Sequence, residues 1–333
     1  MTDLLDNLQH YADSLLVRYK IPAVSIAVWK DQQLHTAAAG VLNVETGVEA
    51  TTDSIFQIGS ITKVMTASLI MQLVDEGRIE LDAPVKQYLR DFSLADSDAA
   101  NSITVRQLLN HSSGMAGDLF PSDYRDTGHV IARYVDRCHL LPQIYPPGDC
   151  FSYCNSGFTI AGRLVEVILG ISWAEAIEQR IFKPLGMHHA VANPLDILRF
   201  RAAIGHSLAA DKKPSWAIPA IPYLSLGGAP FGSLLTMSAS DLIIFARAFL
   251  NQGLTDQGER WLSEHSVRQM QLPTISLVDN NATAFSHWSL GWGLLDSEDK
   301  RSVMLGHHGI TVGQSALLHL LPEQHIAFAV QFN

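Results

Sequence analysis

Charge is scarce in this chain. Only 17% of its residues are Asp, Glu, Lys or Arg, and the acids exceed the bases, 33 to 23. That content is too low for a solvated, disordered chain. No basic run occurs anywhere, which argues against nucleic acid as a partner. Cysteine is also rare, with three residues, Cys138, Cys150 and Cys154. An odd, small number excludes a disulfide framework and fits reduced thiols. A Cys150/Cys154 metal pair lacks a second ligand pair nearby, so no metal or other cofactor is expected. No apolar run reaches the length of a membrane span. The N-terminus has no basic start, apolar stretch and small-residue cleavage site in sequence, so it does not read as a secretory leader. A cytoplasmic protein without a membrane partner is the resulting expectation.

What remains is a globular chain of 333 residues, 47% of them apolar, with a formal net charge of -10. That length favours two lobes over one core. Leu4, Leu5, Leu8, Tyr11, Leu15 and Leu16 repeat at helical spacing. Val24, Ile26 and Val28 alternate ahead of a polar turn, which reads as a hairpin. Residues 60–76 form a largely buried helix stopped by Gly77. The middle is helical and rich in loops. Thr104 caps one short helix, GHVIARYVDRCHLL (128–141) forms a second, an apolar helix opens at Gly157, and SWAEAIEQRIFKPLG is a capped one. Residues 190–225 read as irregular. A helix capped by Ser238 or Ser240 follows, and the chain ends in strand-like segments. The expected fold class is therefore α+β. Strands from both termini share one antiparallel sheet flanked by helices, with an inserted, mostly helical lobe. The division is 1–75 with 225–333 for the sheet unit and 76–224 for the insertion.

Three short motifs carry chemistry. Ser60 and Lys63 stand one turn apart at a helix start, where a lysine of depressed pKa can take the serine proton. Alone the pair is a weak signal, since Ser60 could be a plain cap with a solvated lysine. A second match, Ser297 to Lys300, lies in a charged turn without an apolar helix behind it. Tyr153 and Asn155 precede the apolar helix. A tyrosine can relay protons and an asparagine can bind a carbonyl, or the two can be a core ring and a helix cap. His307, His308 and Gly309 end an apolar strand. Gly309 permits close approach of a substrate, and the N–H after it can donate to an oxyanion. Otherwise this is an exposed histidine pair.

In that order and spacing the motifs resemble the serine β-lactamase and penicillin-binding-protein-like superfamily of D,D-peptidases and esterases, the class C β-lactamase branch in particular. FQIG at 56–59, LLNHSSGM at 108–115, PFGSLLTMSASDLIIFARAFL at 230–250, LGWG at 290–293 and GHHGITVG at 306–313 resemble it too. The resemblance implies a β-lactamase/transpeptidase-like fold and an acyl-enzyme mechanism. It makes Ser60 the nucleophile, Lys63 its base and Tyr153 the partner in proton traffic and activator of the deacylating water. Asn155 orients substrate and lysine, with His308 and Gly309 beside it. The N–H groups of Ser60 and Ile310 form the oxyanion hole. His307 stands where β-lactamases keep a lysine, and can hydrogen-bond Tyr153. Its loss of fixed charge favours a small-molecule ester, amide or peptide substrate over β-lactams. Weak β-lactamase activity, acyl transfer and a non-catalytic binding role are the alternatives. If neutral His307 is needed, kcat/KM rises through roughly pH 6–7. His188-His189 has no spaced metal partner, and Trp288 and Trp292 read as core. Relatives in that superfamily usually continue into a helix beyond the strand that ends here at Asn333, so the sequence is either short of that helix or truncated. The acyl group, the leaving group and the oligomeric state are not legible.

Overall fold

The first hairpin follows from alternation and its turn. Strand β1 (Ala23–Lys30) and β2 (Gln33–Gly40) pair antiparallel. Asp31 and Gln32 between them both take positive φ, 51° and 59°, the twist-matched geometry of a two-residue hairpin loop. The computed structural model describes residues 5–120, 129–208, 215–221, 223–277, 284–296 and 303–333. The Ser297–Lys300 match therefore lies outside the described residues.

The late strands are β3 (Ile275–Ser276), β4 (His287–Trp288), β5 (Gly293–Asp296), β6 (Val303–Ile310), β7 (Ser315–Leu321) and β8 (Ile326–Phe332). They join the hairpin in one antiparallel sheet of order β2-β1-β8-β7-β6-β5-β4-β3. Strands from both ends of the chain thus share it, as the alternation at each end predicts.

Helix α1 (Leu8–Tyr19) sets Leu8 and Ala12 on the outer face, against Val24, Ile26, Ala37 and Ala39. The inner face carries Ala27, Ala327, Ala329, Leu318 and Leu305 into the main core. Several helices share that core. Helix α2 (Thr62–Asp75) is buried on every side through Leu73, its few polar side chains included, the position of a central helix. Helix α3 (Asn155–Leu169) ends at Gly170 in the left-handed conformation. Helix α4 (Ala239–Leu250) packs on the inner face, and Ser238 rather than Ser240 caps it, accepting from the Asp241 N–H.

Some sequence expectations need trimming. Thr104 does cap Val105–Leu109 in a box with Gln107, but the helix stops at Asn110, and His111 takes a left-handed φ of 60°. The segment after Ser172 is α from Trp173 to Ile177, then a π turn over Glu178–Phe182 and a short α turn at Lys183–Leu185. Within 190–225, Ala190–Val191 is not loop. It pairs with Thr236–Met237, which also pairs with Phe56–Gln57. That small sheet delivers the chain into Ser60.

Candidate functional site

Gly59–Ile61 forms a 3-10 turn that runs straight into α2. Ser60 and Lys63 therefore fall on one side of the same helical start. Lys63 Nζ lies 2.9 Å from Ser60 Oγ and donates to the Phe231 carbonyl oxygen at 2.8 Å. The rings of Tyr153, Phe231 and Phe158 surround the ammonium position at 4.9, 5.4 and 5.8 Å. Lys63 makes no ion pair with a carboxylate among the described residues. Lys63 is fully buried. Desolvation pulls its pKa well below the usual lysine value, and the weaker pull of Cys154 and Asp118 does not restore it. Ring faces favour a cation, but three of them do not replace lost water.

Cys154, not Asn155, caps α3: its Sγ accepts from the Gly157 N–H at 3.3 Å. Tyr153 stands just ahead of the cap and keeps 39% of its surface open. Its hydroxyl end is enclosed, and that desolvation raises its pKa, while the hydrogen bond with the Ser60 side chain pulls the other way. The Tyr153 ring stacks on His111 at 4.2 Å and 27°. His111 Nδ1 accepts from the Cys154 N–H at 2.9 Å, so its neutral form carries the proton on Nε2. Burial, with Lys63 and His307 nearby, holds the His111 pKa well below normal. Asn155 Nδ2 donates to Asp118 Oδ1 at 2.7 Å. The expected bond between Asn155 and Lys63 is absent among the described contacts.

Three glycines let separate backbones converge behind Ser60. A Cβ on Gly309 would lie 1.9 Å from the Ile58 carbonyl oxygen and 2.8 Å from Ser60 N. One on Gly59 would lie 2.6 Å from Ile310 N, and one on Gly232 would lie 2.8 Å from Ser60 N. The N–H groups of Ser60 and Ile310 are thereby held close together. Ser60 sits at a helix start, where N–H groups lack intrahelical acceptors. The pair can receive developing negative charge on an oxygen.

His307 and His308 diverge, because successive residues of a strand face opposite ways. His307 is on the inner face and only 2% exposed, against the reading of an exposed pair. Its Nδ1 donates to the His308 carbonyl oxygen at 2.8 Å, and its Nε2 has no partner among the described residues. The expected bond to Tyr153 is not formed. Desolvation lowers its pKa to about 3, with Lys63 adding to the shift. His307 is thus neutral across the physiological range, and the expected rise through roughly pH 6–7 cannot come from its titration. His308 lies on the outer face. Its Nε2 meets His319 Nε2 at 2.8 Å, and its ring lies 5.3 Å from Phe285. By the strand's alternation the His308 side chain therefore points away from that of His307.

Sequence reasoning did not assign roles to His111, Asp118, Phe231 or the Trp288 ring in this arrangement. Trp288 is 3% exposed and packs edge-on against His111, Tyr153 and His307. It is a wall behind the site, while Trp292 packs on Phe249, both consistent with core. The LLNHSSG phrase was the signal that could have marked His111. A cavity of 1060 Å³ lined by Arg163, Trp173 and Leu226 contains none of the expected site residues. The cysteines are unpaired, and among the described residues no group of three His, Cys, Asp or Glu could hold a metal. No described helix is long and apolar enough to cross a membrane.

The model of the beta-lactamase family matches residues 4–333. The chain belongs to the beta-lactamase family. Within it, "Penicillin-binding protein 4" of Amycolatopsis lactamdurans is 38% identical over 98% of this chain and 84% of its own length. Among solved structures, the octameric penicillin-binding protein homologue from Pyrococcus abyssi superposes with a TM-score of 0.82. It is 25% identical and covers 99% of this chain and 73% of its own. The structure of SurE with D-Leu gives a TM-score of 0.75 at 27% identity, over 100% of this chain and 72% of its own. Members of this family are serine hydrolases of the β-lactamase and penicillin-binding type, with the mixed α and β fold described above.

Proposed function

We propose that this protein hydrolyses an ester or amide through an acyl-enzyme on Ser60. The observation that carries the reading is the sealed Lys63 amine 2.9 Å from Ser60 Oγ. With one N–H committed to the Phe231 carbonyl oxygen, the neutral amine can turn its lone pair to the serine hydroxyl. Lys63 then takes the hydroxyl proton as Oγ bonds to the substrate carbonyl carbon. The carbonyl oxygen, now negative, receives the N–H groups of Ser60 and Ile310. As the carbon–leaving-group bond breaks, the proton passes from Lys63 through Tyr153 to the leaving group. Water attacks the ester carbon next, giving its proton back along the same route, and the Oγ–carbon bond breaks to restore Ser60.

Burial lowers the pKa of all three basic groups around the serine, Lys63, His111 and His307. With no fixed cation at His307, the site has less to offer the carboxylate of a β-lactam, so esters and amides are the favoured substrates over β-lactams. The sheet unit of 1–75 with 225–333 supplies Ser60, Lys63 and Ile310, and the 76–224 insertion supplies Tyr153 and Asn155. The cleft between them is the substrate's place under this reading. A cytoplasmic location would put free esters and amides within reach.

A p-nitrophenyl ester tests the proposal. We expect a burst of nitrophenol equal to the enzyme present, and labelling of the intact protein by a serine-reactive phosphonate that Ser60→Ala abolishes. Equal labelling of wild type and Ser60→Ala would refute Ser60 as nucleophile.

A further inference from the structure

One residue grips the backbone on both sides of Tyr153. The helix Val105–Leu109 closes at Asn110, and His111 follows with a left-handed φ of 60°. A residue other than glycine rarely adopts that region, so its presence marks a constraint. The constraint is visible in what His111 holds. Its carbonyl oxygen accepts from the Ser152 N–H at 2.7 Å, and its ring Nδ1 accepts from the Cys154 N–H at 2.9 Å. Both chain neighbours of the tyrosine are thus tied to His111. Its ring also stacks on that of Tyr153, with centroids 4.2 Å apart and planes 27° from parallel.

His111 is itself fixed. It is fully buried and stands edge-on to Trp288 at 5.2 Å and to Phe151 at 5.6 Å. It has no acceptor left for substrate chemistry, because Nδ1 is spent on Cys154 and Nε2 bears the proton of the neutral ring. Any effect on the reaction must therefore pass through Tyr153. That tyrosine carries its hydroxyl at the far end of a rigid ring, where a tilt moves the oxygen most. With 39% of its surface open, it is not held by enclosure alone. Proton transfer demands hydrogen-bond reach, and a misplacement of about 1 Å can cost about 100-fold.

We propose that His111 is the positioning residue for Tyr153: stacked on the ring and holding the N–H groups at 152 and 154, it sets the phenol where it passes the proton from Lys63 to the leaving group. The inference rests on the acyl-enzyme reading above, and its test separates the two. The p-nitrophenyl and ethyl esters of one acid are compared by kcat/KM, which reports acylation. Nitrophenolate leaves without a proton and ethoxide does not, so only the ethyl ester needs the phenol as donor. His111→Ala is expected to lower kcat/KM by about 10- to 100-fold for the ethyl ester and by less than about threefold for the nitrophenyl ester. His111→Asn recovers part of the loss, since its Oδ1 can accept from the Cys154 N–H and asparagine tolerates the left-handed turn. Tyr153→Phe shows the same split between the esters. Adding His111→Ala to it costs nothing further, because the hydroxyl that His111 places is already gone. The same cycle built on His111→Asn gives the answer should the alanine variant not fold.

Equal losses on both esters, losses that multiply in the double variant, or an ethyl-ester rate untouched by His111→Ala each overturn the His111 assignment. In those cases the nitrophenol burst and the phosphonate label on Ser60 persist, and the acyl-enzyme reading stands. Wild type with neither burst nor label overturns both.

Discussion

His307 and His308 are neighbours on one strand, yet they live in different proteins, so to speak. The inner residue is sealed among Trp288, His111 and the lysine, and holds no charge down to about pH 3. The outer residue reaches solvent and pairs with His319 on the far face. The same side chain becomes part of a dry reaction chamber or part of a surface cluster according to parity along β6. The inner face works by exclusion of water: it pulls the Lys63 pKa down and brings Gly309 within reach of Ser60. The outer face bears no such constraint.

The largest expected break comes from the amine that the inner side seals. Lys63→Met should lower kcat/KM by about 100- to 10,000-fold, the range for loss of a general base, while the fold persists by circular dichroism. Next is Gly309→Ala. Its methyl would press on the Ile58 carbonyl oxygen, a backbone atom that cannot yield. Displacement of the oxyanion donors should cost about 100- to 1,000-fold in kcat. Gly306→Ala on the outer face meets the His319 ring instead, so it should disturb stability and spare kcat.

Acid stability should treat the faces alike. His307 and His319 have folded pKa values of about 3 and about 4, below the ordinary value of 6.5. Below about pH 6.5 the unfolded chain binds protons that the folded chain refuses. Stability is thus full above that value and falls as pH drops toward the folded pKa. Each group contributes at most about 1.4 kcal/mol per pH unit. Urea unfolding between pH 7 and 4 should show the slope reduced in both His307→Gln and His319→Phe. A slope untouched by either change would contradict their neutral burial.

Smaller still is the pH profile of His307→Gln. If Lys63 is the base of the proposed acyl-enzyme mechanism, the ascending limb of kcat/KM follows Lys63 and not His307, so its midpoint should stay in place. A shift of the limb would return that role to His307. Least of all, His308→Ala should change kcat/KM by less than about twofold, since the carbonyl that holds His307 is backbone and remains.

The sequence alone determined the periodic elements, because apolar spacing is local. The terminal strands, α2, the apolar helix before Gly170 and the Thr104 cap all follow from residues a few positions apart. It also named Ser60, Lys63 and Tyr153, because their order and spacing resemble a known family. What it could not determine depended on atoms brought from afar. The Phe231 carbonyl that holds Lys63 is 168 positions away. The carboxylate that engages Asn155 is 37 away. Nor could spacing say that Cys154 caps α3 or that His111 lies under Tyr153. The pKa values belong wholly to the tertiary structure, since desolvation is a property of everything packed around a group. A lysine and a histidine that titrate ordinarily in an open chain have their pKa values pulled down only once the fold has removed the water.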